Sequence, residues 1–365
     1  MNRLLPTAID SQLPELPHRG PLAQWTRRTG LAALLAVLAG LPVSCADAGD
    51  ASPEVAAGLV LVAGGTPADP TVEGSVARPN FHDFGEVLQG TAIEHAFELR
   101  KVVKESDRVF CVGTQKMALS KFRDARKLIA EGEIGKPVWS QTSYCRNSTT
   151  GEWNYYGIDP NWKPGENLDW DEWLGWMGPR EWDPKVYARW RRYKDFSTGI
   201  VGDLLVHQMT PLIYSLDLGF PIRVTGAGGH YIDKDMENHD QVFLTVEFEG
   251  DHTMVVAGST INDRGLEVMI RGHRGDLLLG GRNVELVPQA PYVDDVDPRT
   301  ITTQGGNTHD ALRRDWLNSV RTREQNRSTT AFALKHMVVV ELGTRSLWER
   351  QAFSYDPTES VVGVL

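Results

Sequence analysis

A succession of short apolar runs separated by turn residues constrains the fold of this chain most strongly. Glu249, Gly250 and Asp251 stand at the junction of two of the runs and have the residue types of a connection between antiparallel strands. Such runs are typical of an antiparallel sheet with one solvated face. They are PVWSQTSYCR (137–146), IRVTGAGGHYI (222–232), QVFLTVEFEG (241–250), HTMVVAGSTI (252–261) and LEVMIRG (266–272). We therefore predict an α+β fold with a mostly antiparallel sheet of at least about five strands, a common size.

A helix is predicted before the first of these strands, in the segment SKFRDARKLIAEG. Ser120 has the residue type of an N-cap, and Gly132 has that of a helix terminator. Its apolar residues recur at helical spacing on one face: Phe122, Ala125, Leu128 and Ile129.

Composition limits the classes of partner. The chain has 365 residues, a net charge of −10 and no long Lys/Arg run, which argues against nucleic acid as the main partner. Its cysteines, Cys45, Cys111 and Cys145, form no CxxC pair and no Cys/His cluster, so we predict no metal site. Cys111 and Cys145 each end a strand-like run, and free thiols are favoured over a disulfide between them.

Residues 1–45 have the form of an export signal. Arg27 and Arg28 precede an uncharged run from Leu31 to Val43, which is too short to span a membrane and suits a signal sequence. The paired arginines indicate the twin-arginine route. The sequence PVSC resembles a bacterial lipobox with Cys45 as the lipidated residue. We expect an exported protein, periplasmic or held at the membrane by a lipid; the alternative is a buried helix.

Residues 46–80 are rich in Ala, Gly, Pro and Asp, and we interpret them as a linker with at most one short strand. Their apolar run GLVLVAGGTPADP lacks the G-x-G-x-x-G turn of a dinucleotide-binding strand and helix. Pro67 and Pro70 also prevent a helix from starting there. Residues 81–100 alternate in polarity after a Gln89-Gly90 turn, with Ile93, Phe97 and Leu99 on one side, and so predict a β-hairpin. The stretch HDFGEVLQGT resembles the opening of the DUF1573 family of small immunoglobulin-like β domains.

Asp203 and His207 lie four residues apart in TGIVGDLLVHQM, a spacing that stacks two side chains on one helical face. A carboxylate beside an imidazole suits proton transfer from a substrate hydroxyl, although a single helical histidine is more often structural. Pro211, four residues beyond His207, is expected to kink or shorten the helix.

From residue 101 to the C-terminus the chain resembles the Gfo/Idh/MocA oxidoreductases. The similar segments are KESDRVFCVGTQ (104–115), AEGEIGKPVWS (130–140), LDWDEWLG (168–175), RWRRYKDFSTGIVGDLLVHQ (189–208) and THDALRRDWLNSV (308–320). The resemblance implies an open-faced sheet in residues 119–365, a remnant of the last Rossmann helix and strand in 101–118, and loss of most of the Rossmann domain. An open sheet of this kind is also a surface through which two copies can associate.

The resemblance further implies a nicotinamide cofactor, NAD or NADP, and a sugar-like substrate. His207 would take the hydroxyl proton, and Asp203 would orient the imidazole and stabilise its charged form. Substrate contacts are implied for Lys116, Arg146, Asn147 and His309; for each the alternative is a solvated surface residue. Eight of the eleven tryptophans lie between Trp139 and Trp190. We expect most of them in an aromatic core, with Trp162 in the Pro/Gly-rich loop placed nearest the substrate.

Three functions are therefore open. The first is a sugar or polyol oxidoreductase with impaired cofactor binding. The second is an exported, non-catalytic carbohydrate-binding remnant. The third is an NAD-dependent glycosidase, because some members of the family cleave glycosides by transient oxidation.

Overall fold

The computed structural model describes residues 61–63, 92–106 and 108–365. The predicted export signal with Cys45, the linker apart from 61–63, and residues 81–91 of the predicted hairpin lie outside the described residues.

The predicted sheet is confirmed and is larger than expected, with ten strands. The strands are β3 (Pro137–Cys145), β4 (Pro221–Gly229), β5 (Gln241–Phe248), β6 (His252–Ser259), β7 (Met269–Gly272), β8 (Gly275–Leu278), β9 (Val284–Pro288), β10 (Arg299–Ile301), β11 (Phe353–Asp356) and β12 (Val361–Val364). Their order across the sheet is β10-β9-β8-β7-β3-β6-β5-β4-β11-β12. Only β3 and β6 run parallel to each other; every other neighbouring pair in this sheet is antiparallel. β1 (Leu61–Ala63) and β2 (Val109–Cys111) form a separate antiparallel pair.

Strand β5 shows how the sequence selects the two faces of the sheet. Val242, Leu244 and Val246 are buried, whereas the intervening Phe243 and Thr245 are exposed. Removing one alternate set of apolar side chains from water is the main force that holds such a sheet against its helices. The opposite face remains open across this strand.

Seven α-helices accompany the sheet in the described residues. They are α1 (Ala92–Glu105), α2 (Ser120–Ala130), α3 (Trp170–Leu174), α4 (Pro184–Ala188), α5 (Val206–Leu216), α6 (Thr308–Thr322) and α7 (Thr330–Glu349). Short 3₁₀ turns include Gln115–Ala118 and Trp190–Arg192. None of the helices in this part of the chain is both long enough and apolar enough to cross a membrane.

Helix α7 lies close against the sheet because glycines stand at the contact. A Cβ atom at Gly343 would lie 2.9 Å from Leu244, and one at Gly226 would lie 3.0 Å from Leu347. Both distances are too short for an ordinary side chain in a packed core. The two glycines thus allow the helix and the strands to approach each other.

The predicted hairpin strand over 93–99 is wrong, because this segment is part of helix α1. Ile93 and Phe97, four residues apart, are both buried and join the main core beside α7. The Ile93 N–H donates to Glu341 Oε2 at 2.8 Å, so a carboxylate 248 positions away caps the first turn. Apolar residues at positions i and i+4 satisfy a helix as well as a strand, and packing against α7 selects the helix.

The strand within VFCVG has hydrogen-bond partners on both sides. Val109–Cys111 pairs with Leu61–Ala63, which confirms a short strand in the linker. On the other side, Asn326 Nδ2 donates to the Phe110 carbonyl at 2.7 Å, and the Val112 N–H donates to the Ser328 carbonyl at 2.9 Å. Buried backbone groups must be paired, and residues distant in sequence supply the pairs.

Helix α2 buries Phe122, Ala125 and Leu128 as predicted, and Gly132 follows it with a positive φ of 79°. The predicted N-cap is wrong by one position: Leu119 occupies the N-cap, and Ser120 is the first helical residue. The Ser120 hydroxyl donates to the Gln304 carbonyl instead of capping the helix.

Cys111 is a buried free thiol and Cys145 a half-buried one, as expected. Burial raises the pKa of the Cys111 thiol to about 12, so this side chain stays protonated at neutral pH.

Candidate active site

Asp203 lies in a turn of π-helix, Ile200–Leu205, which leads directly into α5. Gly199 precedes this turn with a φ of 59°, and a Cβ atom there would lie 2.6 Å from the Asn238 side chain. Glycine is therefore required at that position. A π-helix has a wider turn than an α-helix, so Asp203 and His207 are not stacked as regularly as their spacing predicts.

The carboxylate of Asp203 is ion-paired with an arginine. Arg191 Nε donates to Asp203 Oδ1 at 2.7 Å, and both side chains are almost fully buried. The guanidinium of Arg191 also lies 4.1 Å from the Trp190 ring centroid and 5.7 Å from that of Tyr156. This pair anchors the π-turn to the 3₁₀ turn Trp190–Arg192.

The imidazole of His207 is buried and neutral. Burial, together with the nearby charges of Lys116 and His309, lowers its pKa to about 4. His207 Nδ1 is also buried without a hydrogen-bond partner among the described residues. The ring therefore has the protonation state of a proton acceptor at neutral pH, and a charged imidazole is disfavoured in this structure.

Helix α5 continues through Pro211 to Leu216, so the proline does not shorten it. Proline has no N–H to donate, which removes the helical donor to the carbonyl four residues earlier, that of His207. The backbone around the candidate base thus departs from regular helix on both sides.

Lys116 lies in the 3₁₀ turn Gln115–Ala118, which packs against α5 and α6. Its Nζ is 5.6 Å from the ring centroid of Tyr144. The guanidinium of Arg146 is 5.3 Å from the same centroid. Tyr144 and Arg146 are two residues apart at the end of β3, so they project from the same face. The two cations consequently lie beside one aromatic ring.

Arg146 is held by a buried carboxylate, that of Glu152, which is only 1% exposed. The Tyr155 hydroxyl donates to the same Glu152 oxygen at 2.9 Å. Burial and the adjacent Glu152 both raise the pKa of Tyr155, so its phenol keeps the proton that it donates. The Tyr155 ring lies 4.8 Å from that of Tyr156, which packs near Arg191. These contacts link the Arg146 side of the site to the Asp203 side.

We call this set the polar ring: Lys116, Tyr144, Arg146, Glu152, Tyr155, Tyr156, Arg191, Asp203 and His207. Of these, Tyr144, Glu152, Tyr155, Tyr156 and Arg191 were not predicted from the sequence. The alternation of Tyr144 with Arg146 was an available signal. No sequence signal indicated that Arg191 pairs with Asp203, because many polar residues lie equally near to Asp203 in the sequence.

The other predicted site residues, His309, Asn147 and Trp162, do not belong to the polar ring. His309 is exposed at the start of α6, where Asn307 caps the helix, and its charge acts on His207. Asn147 is exposed and bridges to Ile261. Trp162 packs edge-on against Tyr187, 5.0 Å between centroids, within an aromatic cluster around Trp170. The tryptophan in contact with Arg191 of the polar ring is Trp190.

The described residues bear on two kinds of ligand, a metal ion and a dinucleotide. No group of three or more His, Cys, Asp or Glu side chains in this part of the chain is arranged to hold a metal ion. For a dinucleotide, a strand must lead through a Gly-rich turn into a helix. The described residues contain no such unit; β2 leads through Gly113 into the 3₁₀ turn of Lys116.

Part of this chain is similar to proteins of a known family. Residues 180–354 match the family model described as "Oxidoreductase family, C-terminal alpha/beta domain", GFO_IDH_MocA_C. The match includes Asp203, His207 and His309, and it excludes Lys116 and Arg146. A search of curated proteins found no significant match.

Three solved structures illustrate the shared fold. Aldose-aldose oxidoreductase from Caulobacter crescentus, complexed with glycerol, has a TM-score of 0.52 at 13% identity, covering 72% of this chain and 68% of that one. An NAD binding oxidoreductase from Klebsiella pneumoniae has a TM-score of 0.52 at 16% identity, covering 72% and 70%. Levoglucosan dehydrogenase in complex with NADH and levoglucosan has a TM-score of 0.51 at 15% identity, covering 72% and 70%. The sheet and helices that carry His207 are therefore similar to the C-terminal α/β domain of the Gfo/Idh/MocA oxidoreductases.

Proposed function

We propose that this chain is a Gfo/Idh/MocA-type oxidoreductase whose described part binds a sugar or polyol and accepts the proton of one hydroxyl group. The observation that carries the proposal is the buried, neutral imidazole of His207 with an unpaired Nδ1. An unpaired buried nitrogen costs about 1–3 kcal/mol, which a bound hydroxyl group would recover. The similar solved structures named with glycerol and levoglucosan support a polyhydroxylated ligand.

The roles of the other residues follow from their contacts. The Arg191–Asp203 pair positions the π-turn that precedes His207. Lys116 and Arg146 present hydrogen-bond donors beside Tyr144, as a substrate rich in hydroxyl oxygens requires. Trp162 and Asn147 are proposed only as outer contacts, because neither joins the polar ring.

Oxidation of an alcohol removes a hydride as well as a proton, and NAD or NADP is the expected acceptor. The described residues do not fit a dinucleotide, since they lack the strand, Gly-rich turn and helix that hold the pyrophosphate. We therefore infer that cofactor binding is impaired, and we assign no residue to hydride transfer. The same observation favours a second candidate function, an exported carbohydrate-binding protein without catalytic activity.

The decisive experiment supplies a dinucleotide-binding domain. A relative's complete dinucleotide-binding domain, joined at Gln115, should confer NAD(P)-dependent oxidation of a sugar or polyol, whereas the unaltered chain should show none. In this chimaera His207→Gln should lower kcat by about 10²–10⁴-fold, the contribution of a general base. His273→Gln, outside the polar ring, should have little effect. A chimaera that binds sugar yet never oxidises it would favour the non-catalytic function.

Export is proposed on the first 45 residues alone. Cell fractionation should find the protein outside the cytoplasm, and replacement of Arg27 and Arg28 by lysine should retain it inside if the twin-arginine route operates. Cys45→Ala should release the protein from the membrane if that cysteine carries a lipid.

A further inference from the structure

Tyr155 is the most exposed of the three tyrosines in the polar ring. It is 46% exposed, whereas Tyr144 and Tyr156 are half-buried. Its hydroxyl group nevertheless has a buried partner, because it donates to Glu152 Oε1 at 2.9 Å and Glu152 is 1% exposed. The side chain is therefore held at its polar end, while nearly half of the residue stays open to solvent.

The neighbours of Tyr155 fix the direction of its ring. The ring lies against that of Tyr156, with 4.8 Å between the centroids and 46° between the planes. Arg146 Nη2 is 3.5 Å from the Tyr155 hydroxyl oxygen. An aromatic ring that is already held in place loses little conformational freedom when a ligand stacks on it, so less of the binding free energy is lost to ordering.

The backbone of the loop that carries Tyr155 is held in an unfavourable conformation. Trp153 has a φ of 60°, in the left-handed region, which a bulky side chain rarely adopts. Its side chain is 1% exposed, so the surrounding core holds it there. Conformations of this kind persist only where the structure enforces them, and they cluster at ligand-binding sites.

The segment that holds this loop also holds the turn before the candidate base. Arg189 and Arg192 donate to backbone carbonyls on either side of Tyr155, at 3.1 and 2.6 Å. Arg191, which lies between these two arginines, forms the ion pair with Asp203. The exposed ring of Tyr155 and the π-turn are thus connected to the same short segment of the chain.

We propose that Tyr155 is the stacking surface for one face of a closed sugar ring. This inference rests on the proposed function and names the form of its ligand, a cyclic sugar in preference to an open-chain polyol. A pyranose presents C–H groups on its face, and a flat, neutral aromatic ring both removes them from water and attracts them. The hydroxyl groups lie around the sugar's edge and remain for the donors and acceptors of the polar ring. Tyr155 determines specificity and takes no part in proton transfer.

The test is calorimetric binding to the full chain with matched cyclic and open-chain probes. The pairs are methyl β-D-glucopyranoside with D-glucitol, methyl β-D-galactopyranoside with galactitol, and methyl β-D-mannopyranoside with D-mannitol. In at least one pair the pyranoside should bind about three- to tenfold more tightly than the alditol, as expected of an aromatic contact. Equal affinities within every pair, or binding of none of these probes, overturn the proposal.

Variants assign the preference to the ring of Tyr155. Tyr155→Phe keeps the aromatic face and should keep most of the preference, whereas Tyr155→Leu should reduce it to less than about twofold. Both variants lack the hydroxyl bond to Glu152, so the difference between them reports the ring alone. Phe243→Leu is the control and should leave the preference unchanged, since Phe243 is 47% exposed on the open face of β5. A preference that survives Tyr155→Leu overturns the role of Tyr155.

The proposed function and this inference fail in different ways. A chimaera that oxidises open-chain polyols, from a chain that binds no pyranoside more tightly, leaves the proposed function standing and removes the stacking role. A pyranoside preference that depends on Tyr155, in a chimaera that oxidises no sugar, leaves the stacking role standing and removes the oxidoreductase.

Discussion

Arg191 Nε donates to Asp203 Oδ1 at 2.7 Å, and both side chains are almost fully buried. This ion pair anchors the π-turn that carries Asp203. Burial, with the nearby charges of Lys116 and His309, lowers the pKa of His207 to about 4, so the imidazole is neutral at neutral pH. The role expected of Asp203 in orienting His207 stays a prediction.

Breaking this ion pair should destabilise the protein strongly. Arg191→Met leaves the Asp203 carboxylate buried without its arginine, which should lower the free energy of unfolding by about 3–5 kcal/mol. Urea denaturation measures the change. The double variant with Asp203→Leu should regain part of the loss, because it removes the buried charge. Arg223→Met, which breaks a half-exposed pair with Glu247, should cost no more than about 1 kcal/mol.

Glu152 should be important for stability although it lies in a loop. Its carboxylate is 1% exposed and accepts from Arg146 and Tyr155. Glu152→Gln weakens two hydrogen bonds to a charged group, and we expect the free energy of unfolding to fall by about 1.5–3 kcal/mol. Glu166→Gln, which alters an exposed pair with Lys163, should change it by less than about 1 kcal/mol. Equal effects of the two variants would contradict the buried arrangement.

His336 should make the protein sensitive to acid. Burial lowers the pKa of His336 to about 3, and neither ring nitrogen has a partner among the described residues. The unfolded chain binds a proton near pH 6.5 and the folded chain does not, so this contribution to stability is complete above pH 6.5 and is lost as the pH falls toward 3.

The variant His336→Leu removes this linkage. At pH 7 it should be as stable as the wild type or more so, because two unpaired nitrogens are replaced by an apolar side chain. At pH 5 the advantage of the variant in free energy of unfolding over the wild type should be about 2 kcal/mol larger than at pH 7. Thermal unfolding at both pH values measures the difference. The exposed His95→Gln should show no such gain; a parallel fall of the wild type and His336→Leu with acid would contradict the assignment.

Glu341 should control the order of helix α1. Its carboxylate caps the Ile93 N–H, and removal of a cap typically costs about 0.5–2 kcal/mol. Glu341→Gln should therefore accelerate hydrogen exchange in the first turn of α1. Glu349→Gln is the matched control, since Glu349 is the last residue of α7 and also contacts Arg345. Equal exchange in the two variants would show that the cap is unimportant.

Periodicity in the sequence determined most of the fold. The alternation in QVFLTVEFEG and the helical spacing of Phe122, Ala125 and Leu128 each specify which side chains leave water, and burial of those faces is the dominant energy term. The five predicted strands and helix α2 are present for that reason. The similarity of residues 180–354 to an oxidoreductase domain was also predicted, from the quoted sequence segments.

Tertiary structure decided whatever depends on partners distant in sequence. Ile93 and Phe97 fit a strand or a helix equally well, and only contact with α7, more than 200 residues later, selects the helix. Asp203 forms an ion pair with an arginine twelve residues away, because the π-turn and the 3₁₀ turn Trp190–Arg192 bring the two charges together. Local spacing in the sequence limits which side chains can come into contact. Burial and charge compensation in the folded chain determine which of these contacts form.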